Sequence, residues 1–192
     1  MTRIVRVVLV GLLLAFVCGA AWADDDDAGT IKLFRNARQS EAFFAKSYGY
    51  AVFPTVGKGG LVIGGAHGDG NVYAGGRLIG KTTMNQLSVG AQAGGQAYSE
   101  IIFFKDKAAL DTFMSGNFEF GAGVSAVAIT AAASANAGTT GADAGASGTE
   151  NHAATAASFY KGMAVFTIAK GGLMLEASLN GQKFSFDRPG HG

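Results

Sequence analysis

Apolar positions change their spacing several times along the chain. Between Thr30 and Ser47 there is no Gly or Pro. At about 100° per residue, Leu33, Phe34, Ala37, Phe44 and Ala45 share an arc of about 120°, and Lys32, Arg35, Arg38 and Lys46 lie opposite. Glu41 interrupts the apolar arc. The spacing predicts one amphipathic helix, ended by Gly49. Beyond it the period shortens. Tyr50–Phe53 and Leu61–Ile63 read as strands around Gly57–Gly60, His67–Asn71 as a turn, and Val72–Ala74 as a strand. Leu87, Val89, Ala91 and Ala93 alternate with small or polar residues, the period of a strand. Ile101–Phe104 is a continuous apolar run suited to a buried strand.

Asp106–Ser115 reads as a second, short helix, with Asp106 as N-cap and Gly116 as terminator. Phe118–Ala128 alternates like a long strand, whereas residues 130–157 are mostly Ala, Gly, Ser and Thr. That stretch reads either as a flexible loop around 138–148 or as close-packed strands. Ala164–Ala169, Leu173–Leu179 and Lys183–Phe186 complete the strand pattern, with Asn180-Gly181 as a hairpin signal. The expected class is α+β: a glycine-rich antiparallel β-sheet or flattened barrel with an N-terminal helix and a second short helix.

The first 23 residues form a separate unit. Arg3 and Arg6 precede the apolar run Val7–Val17, and Ala21-Trp22-Ala23 offers a cleavage site before Asp24. This is the pattern of a secretory signal peptide. A membrane anchor would need about 20 apolar residues. A lipoprotein signal would use Cys18, but Val17 and Phe16 precede it instead of small residues. The expected organisation is a cleaved leader (1–23), an acidic flexible terminus (24–29), one domain (30–187) and a frayed tail (188–192). The expected location is the periplasm or the exterior. Cleavage removes Arg3, Arg6 and Cys18, leaving 13 basic and 14 acidic residues and a formal charge of −1. No disulfide or thiolate chemistry remains after cleavage, and the charge balance does not suit nucleic acid.

Two segments echo one another. Gly49–Ile63 and Gly162–Leu175 both read as strand, Lys-Gly-Gly, strand, and align with one gap at Pro54. Lys58 and Lys170 would occupy equivalent turns. Catalytic signals are weak. Gly75–Thr82 fits G-x-x-x-x-G-K-[ST], but a phosphate loop needs a helix after it, and the residues that follow alternate like a strand. G-x-S-x-G and H-E-x-x-H do not occur. His67 with Asp69 could hold a metal but reads more simply as a surface turn. No catalytic residue, metal site, cofactor or nucleotide is expected, and so no enzyme.

The succession Ser47-Tyr-Gly-Tyr-Ala-Val-Phe-Pro54 followed by Gly57-Lys-Gly-Gly60 resembles the SYLF-domain family. Leu87–Gly95, Ile101–Phe104, Ala108–Phe113 and Lys170–Gly181 agree in order, so that the resemblance spans about residues 30–187. It implies lipid binding, with actin binding in some eukaryotic members, and bacterial members are short secreted proteins. The corresponding basic positions are Lys32, Arg35, Arg38 and Lys46. The expected function is non-catalytic binding of phospholipid or membrane in a bacterial envelope, with Phe34 and Phe43 inserting shallowly and Lys58 and Lys170 as further candidates. Asp24–Asp27 would weaken attraction to anionic lipid, and actin is not an expected partner. The alternatives are a structural or interaction protein of the envelope with no lipid ligand, and an outer-membrane barrel. The barrel is disfavoured by the absence of a terminal aromatic in Arg188–Gly192.

Overall fold

The computed structural model describes residues 23–60, 63–89, 95–116, 118–120, 126–129, 158–170 and 181–189. Their elements run α1 (Ala23–Asn36), α2 (Arg38–Lys46), β1 (Gly49–Gly60), β2 (Ile63–Ala74), β3 (Arg77–Val89), β4 (Gln96–Phe104), α3 (Lys107–Met114), β5 (Val127–Ile129), β6 (Met163–Lys170) and β7 (Gln182–Asp187). The strands form one sheet in the order β5-β6-β4-β1-β2-β3-β7. Six strands pair antiparallel, and β5 adds in parallel to β6. Among the described residues no ladder joins β5 to β7, so the sheet is open and the flattened-barrel alternative is not realised.

The sheet is nevertheless strongly curled. Four strand spacings separate β4 from β7, about 19 Å in a flat sheet. Yet Gln182 on β7 hydrogen-bonds Glu100 on β4 at 3.1 Å. Phe53 on β1 and Phe184 on β7 bring their ring centroids within 5.9 Å. The curl divides the core. Its inner face holds Phe53, Val56, Met84, Ile102, Phe104 and Phe184, closed at one end by Leu110 and Phe113 of α3. Its outer face carries Ile101, Phe103, Phe166 and Ile168, covered by Phe34, Ala37 and Phe43.

The N-terminal segment differs from the single helix expected over 30–47. Phe34 and Phe43 are nine residues apart, which is about 180° around a continuous helix, so one straight helix could not bury both. Ala37 breaks it with an extended backbone (φ −85°, ψ 119°). The buried Ser40 Oγ donates to the Phe34 carbonyl at 2.6 Å. The break resets the phase, and both rings face the sheet. Leu33 and Ala45, expected in the apolar arc, are exposed. The expected flexible terminus also differs, since 24–29 lies within α1. Asp27 is buried there and accepts hydrogen bonds from Asn71 Nδ2 at 2.6 Å and Tyr73 Oη at 2.7 Å. Its carboxylate pins the start of α1 to β2.

The β2–β3 reversal falls at Gly75–Gly76, both at positive φ (56° and 76°), as a two-residue type I′ turn requires. His67–Asn71, expected as a turn, lies within β2. Strand β3 follows directly, so the Gly75–Thr82 motif leads into no helix N-terminus. The expected strand at 87–93 is described only as the end of β3. Of the expected Phe118–Ala128 strand, the described residues show an isolated bridge at Glu119 and the short β5, and residues 121–125 lie outside them. Helix α3 starts as expected, with Asp106 Oδ1 accepting from the Ala109 backbone N–H at 2.9 Å. Residues 1–22, 61–62, 90–94, 117, 121–125, 130–157, 171–180 and 190–192 lie outside the described residues, and with them most of the leader, the small-residue stretch and the Leu173–Leu179 strand.

The internal echo has a structural counterpart. Strands β1 and β6 flank β4 on its two sides, both antiparallel to it. The gap at Pro54 coincides with a bulge in β1, where pairing with β4 shifts between Phe53 and Val56. Half a turn about β4 relates the strands and inverts their faces. Phe53 therefore points to the inner core while its counterpart Phe166 points outward. Lys58 and Lys170 lie in strands, opposite Gln96 and Ala97, and not in turns.

On the inner face of β2, Ala66, Gly68 and Gly70 precede Val72, and Val56 and the Phe53 ring pack close against the two glycines. A Cβ on Gly70 would stand 2.4 Å from the Val52 carbonyl oxygen and 2.7 Å from the Phe53 ring. Because a backbone atom is involved, a side-chain rotation cannot relieve the clash. Gly70→Ala is expected to cost about 2 kcal/mol, read as a lowered urea midpoint. An unchanged midpoint would contradict the close approach of β1 and β2.

Candidate functional site

The candidate surface is the solvent face of α1 and α2. Phe34 and Ala37 anchor it at 0% exposure, with Phe43 packed against Phe103 and Phe166. With the helices docked this way, Lys32, Arg35, Arg38 and Lys46 are all exposed. Arg35 lies over the Phe44 ring, 4.2 Å from its centroid, a cation–π contact that fixes its guanidinium. It also neighbours Tyr50. Burial pushes the Tyr50 hydroxyl up, and Arg35 opposes that shift. Among the described side chains of these helices, Asp26 and Glu41 are exposed acids, whereas Asp27 turns inward.

The four basic candidates therefore lie at the surface, and the two aromatic ones do not. Phe34 and Phe43 are core residues that hold the helices and are not at the surface. Leu33, 43% exposed, is the large apolar side chain that the face does present. Lys58 and Lys170 belong elsewhere. They sit at the Gln96–Ala97 end of β4, while Phe44 packs on Phe103, about 20 Å further along the strand. Lys170 Nζ donates to Thr55 Oγ1 at 2.7 Å.

His67 takes part in an exposed network on the outside of β2 and β3. Its Nδ1 meets Asn85 Oδ1 at 2.8 Å, and its Nε2 lies 4.0 Å from Asp69 Oδ2. Among the described residues no group of three or more His, Cys, Asp or Glu could hold a metal, and no helix is long and apolar enough to cross a membrane. Sequence reasoning missed the two buried carboxylates among the described residues, Asp27 and Glu100. Period-two alternation through Tyr98, Glu100, Ile102 and Phe104 is the signal that places Glu100 on a buried face. Asp27 carries no such signal, because its partners are 44 and 46 residues away.

These features define an α+β domain built on one curled, mainly antiparallel sheet, with a helix pair on its outer face that exposes Lys32, Arg35, Arg38 and Lys46. The family model described as Las17-binding protein actin regulator (Ysc84) matches residues 85–189. The chain belongs to this family, the SYLF-domain family, whose membership supports a binding role. It is 32% identical over 165 residues to Beta cell expansion factor A of Aeromonas veronii, covering 84% of this chain and 54% of that protein. The chain thus spans about half the length of this curated relative.

Proposed function

We propose that the protein is exported to a bacterial envelope and there binds anionic phospholipid surfaces, without catalysis, through the solvent face of α1 and α2. The observation that carries this reading is the division of labour along the helix pair. Phe34, Ala37 and Phe43 dock it, and Lys32, Arg35, Arg38 and Lys46 remain in water. The burial of Asp27 against Asn71 and Tyr73 takes one acidic group off that surface. Leu33 supplies a shallow apolar contact in the role first expected of Phe34 and Phe43. Cleavage after Ala23 would leave Asp24–Asp27 in the first turn of α1, where the helix dipole favours negative charge.

Each basic side chain near an anionic membrane contributes about 1 kcal/mol. Changing Lys32, Arg35, Arg38 and Lys46 together to Ser is therefore expected to weaken binding to phosphatidylglycerol vesicles by at least about tenfold. Co-sedimentation of the mature chain measures this, with phosphatidylcholine vesicles and raised salt as comparisons. Wild-type binding should fall as salt rises, because screening shortens the reach of exposed charges. Equal binding by the variant, or equal binding to both vesicle types, would exclude the basic-face mechanism. No binding to any vesicle would favour a protein partner in its place.

A further inference from the structure

Glu100 lies on the inner face of β4 and is fully buried. Its direct partner across the β4–β6 ladder is Thr167, and Gln182 reaches it from β7 with Nε2 donating to Oε2 at 3.1 Å. Thr167 and Gln182 are each 1% exposed. Three oxygens of this cluster have no hydrogen-bond partner among the described residues: Glu100 Oε1, Gln182 Oε1 and Thr167 Oγ1. The ion pairs His67–Asp69, Lys107–Asp111 and Lys183–Glu119 do not involve Glu100. Tyr98, the titratable neighbour on the same face, is held neutral by burial and by the charge of Glu100, and a side-chain hydrogen bond with Gln182 opposes that shift only in part.

A carboxylate in such surroundings must be neutralised. A buried water could satisfy some of these oxygens but would leave the charge. An oxygen-only donor set, a carboxylate with an amide carbonyl and a hydroxyl, suits a hard cation and not a transition metal. A single carboxylate balances a single positive charge. Oxygens that share an ion need not hydrogen-bond one another, so three unpartnered oxygens are what such a shell leaves. We propose that Glu100, Thr167 and Gln182 form an inner-face site for one hard alkali cation of the sodium class. The ion ties β4 and β6 to the edge strand β7 and so holds the curl of the sheet. The site lies on the inner face, whereas α1 and α2 cover the outer one, so it stands or falls separately from lipid binding.

The test is thermal melting of the mature protein at pH 8.5, with sodium chloride replacing choline chloride at constant ionic strength. The melting temperature is expected to rise saturably, by about 5–10 °C at about a hundredfold excess over Kd. The rise should vanish in Glu100→Gln, shift to higher sodium concentration in Thr167→Val, and persist in the variant lacking the four helix basic residues. An equal effect from choline, or a rise retained by Glu100→Gln, overturns the site. So does stabilisation that appears only on acidification, which would make a proton the sole neutralising ion. Preference for calcium over sodium overturns the charge-balance assignment.

Discussion

Replacing Phe103 with Ala is expected to lower the free energy of unfolding by about 3–5 kcal/mol, the cost of emptying a large buried aromatic site. The ring is fully buried and joins three elements. Its centroid lies 4.8 Å from that of Phe44 and 5.7 Å from that of Phe43 on α2, 5.8 Å from Phe166 on β6 and 6.1 Å from Tyr50 on β1. The cavity would therefore open where the helix pair meets the sheet. Since a domain of this kind has only about 5–15 kcal/mol in total, the loss should show clearly in urea unfolding. Trypsin should also cut faster at Arg35, Arg38 and Lys46, because α2 loses its main seat. A cost under about 1 kcal/mol with unchanged proteolysis would mean that the helices do not depend on this contact.

The second large effect concerns pH. Burial raises the Glu100 carboxyl from 4.5 to about 7, and the Gln182 hydrogen bond only partly offsets it. Between these values the folded chain holds a proton that the unfolded chain has released, so stability falls as pH rises. The favourable contribution is complete below pH 4.5 and is lost by the time the pH has passed about 7. With choline as the only cation, the loss should be about 3 kcal/mol. Glu100→Gln carries no such penalty, and its amide can donate to the Gln182 and Thr167 oxygens that lack partners. The variant should therefore match the wild type near pH 4 and exceed it by about 3 kcal/mol near pH 8. Urea unfolding at both pH values measures the difference. Parallel curves for the two proteins would show that Glu100 does not titrate between the states.

Much of the β-structure was legible because its signals are local. Tyr50–Phe53, Ile101–Phe104 and Ala164–Ala169 read as strands and fall in β1, β4 and β6. The Asp106 cap and the glycine at 116 (φ 71°) bound α3 as read. The candidate surface was half legible. Charge marks Lys32, Arg35, Arg38 and Lys46 as surface residues wherever the helices dock. Aromatic rings carry no such mark, and Phe34 and Phe43 went to the core. The hairpin was misplaced because His67–Asn71 has the composition of a turn, yet glycines there let β1 approach β2. The reversal went to Gly75–Gly76, where positive φ is required.

The sequence by itself determined the α+β class, the family, the four basic positions of the helix pair and the apolar runs that become the central strands. Periodicity and composition carry these, and they act within a few residues. Only the tertiary structure decided where the N-terminal helix breaks, which faces of β1 and β6 turn inward, and that Glu100 meets Gln182 across the curl. Each of these depends on the phase of one element against another far away in the chain. Phase is set by what buries best together: Phe34 and Phe43 on a common sheet, and a glycine-thinned β2 around Phe53.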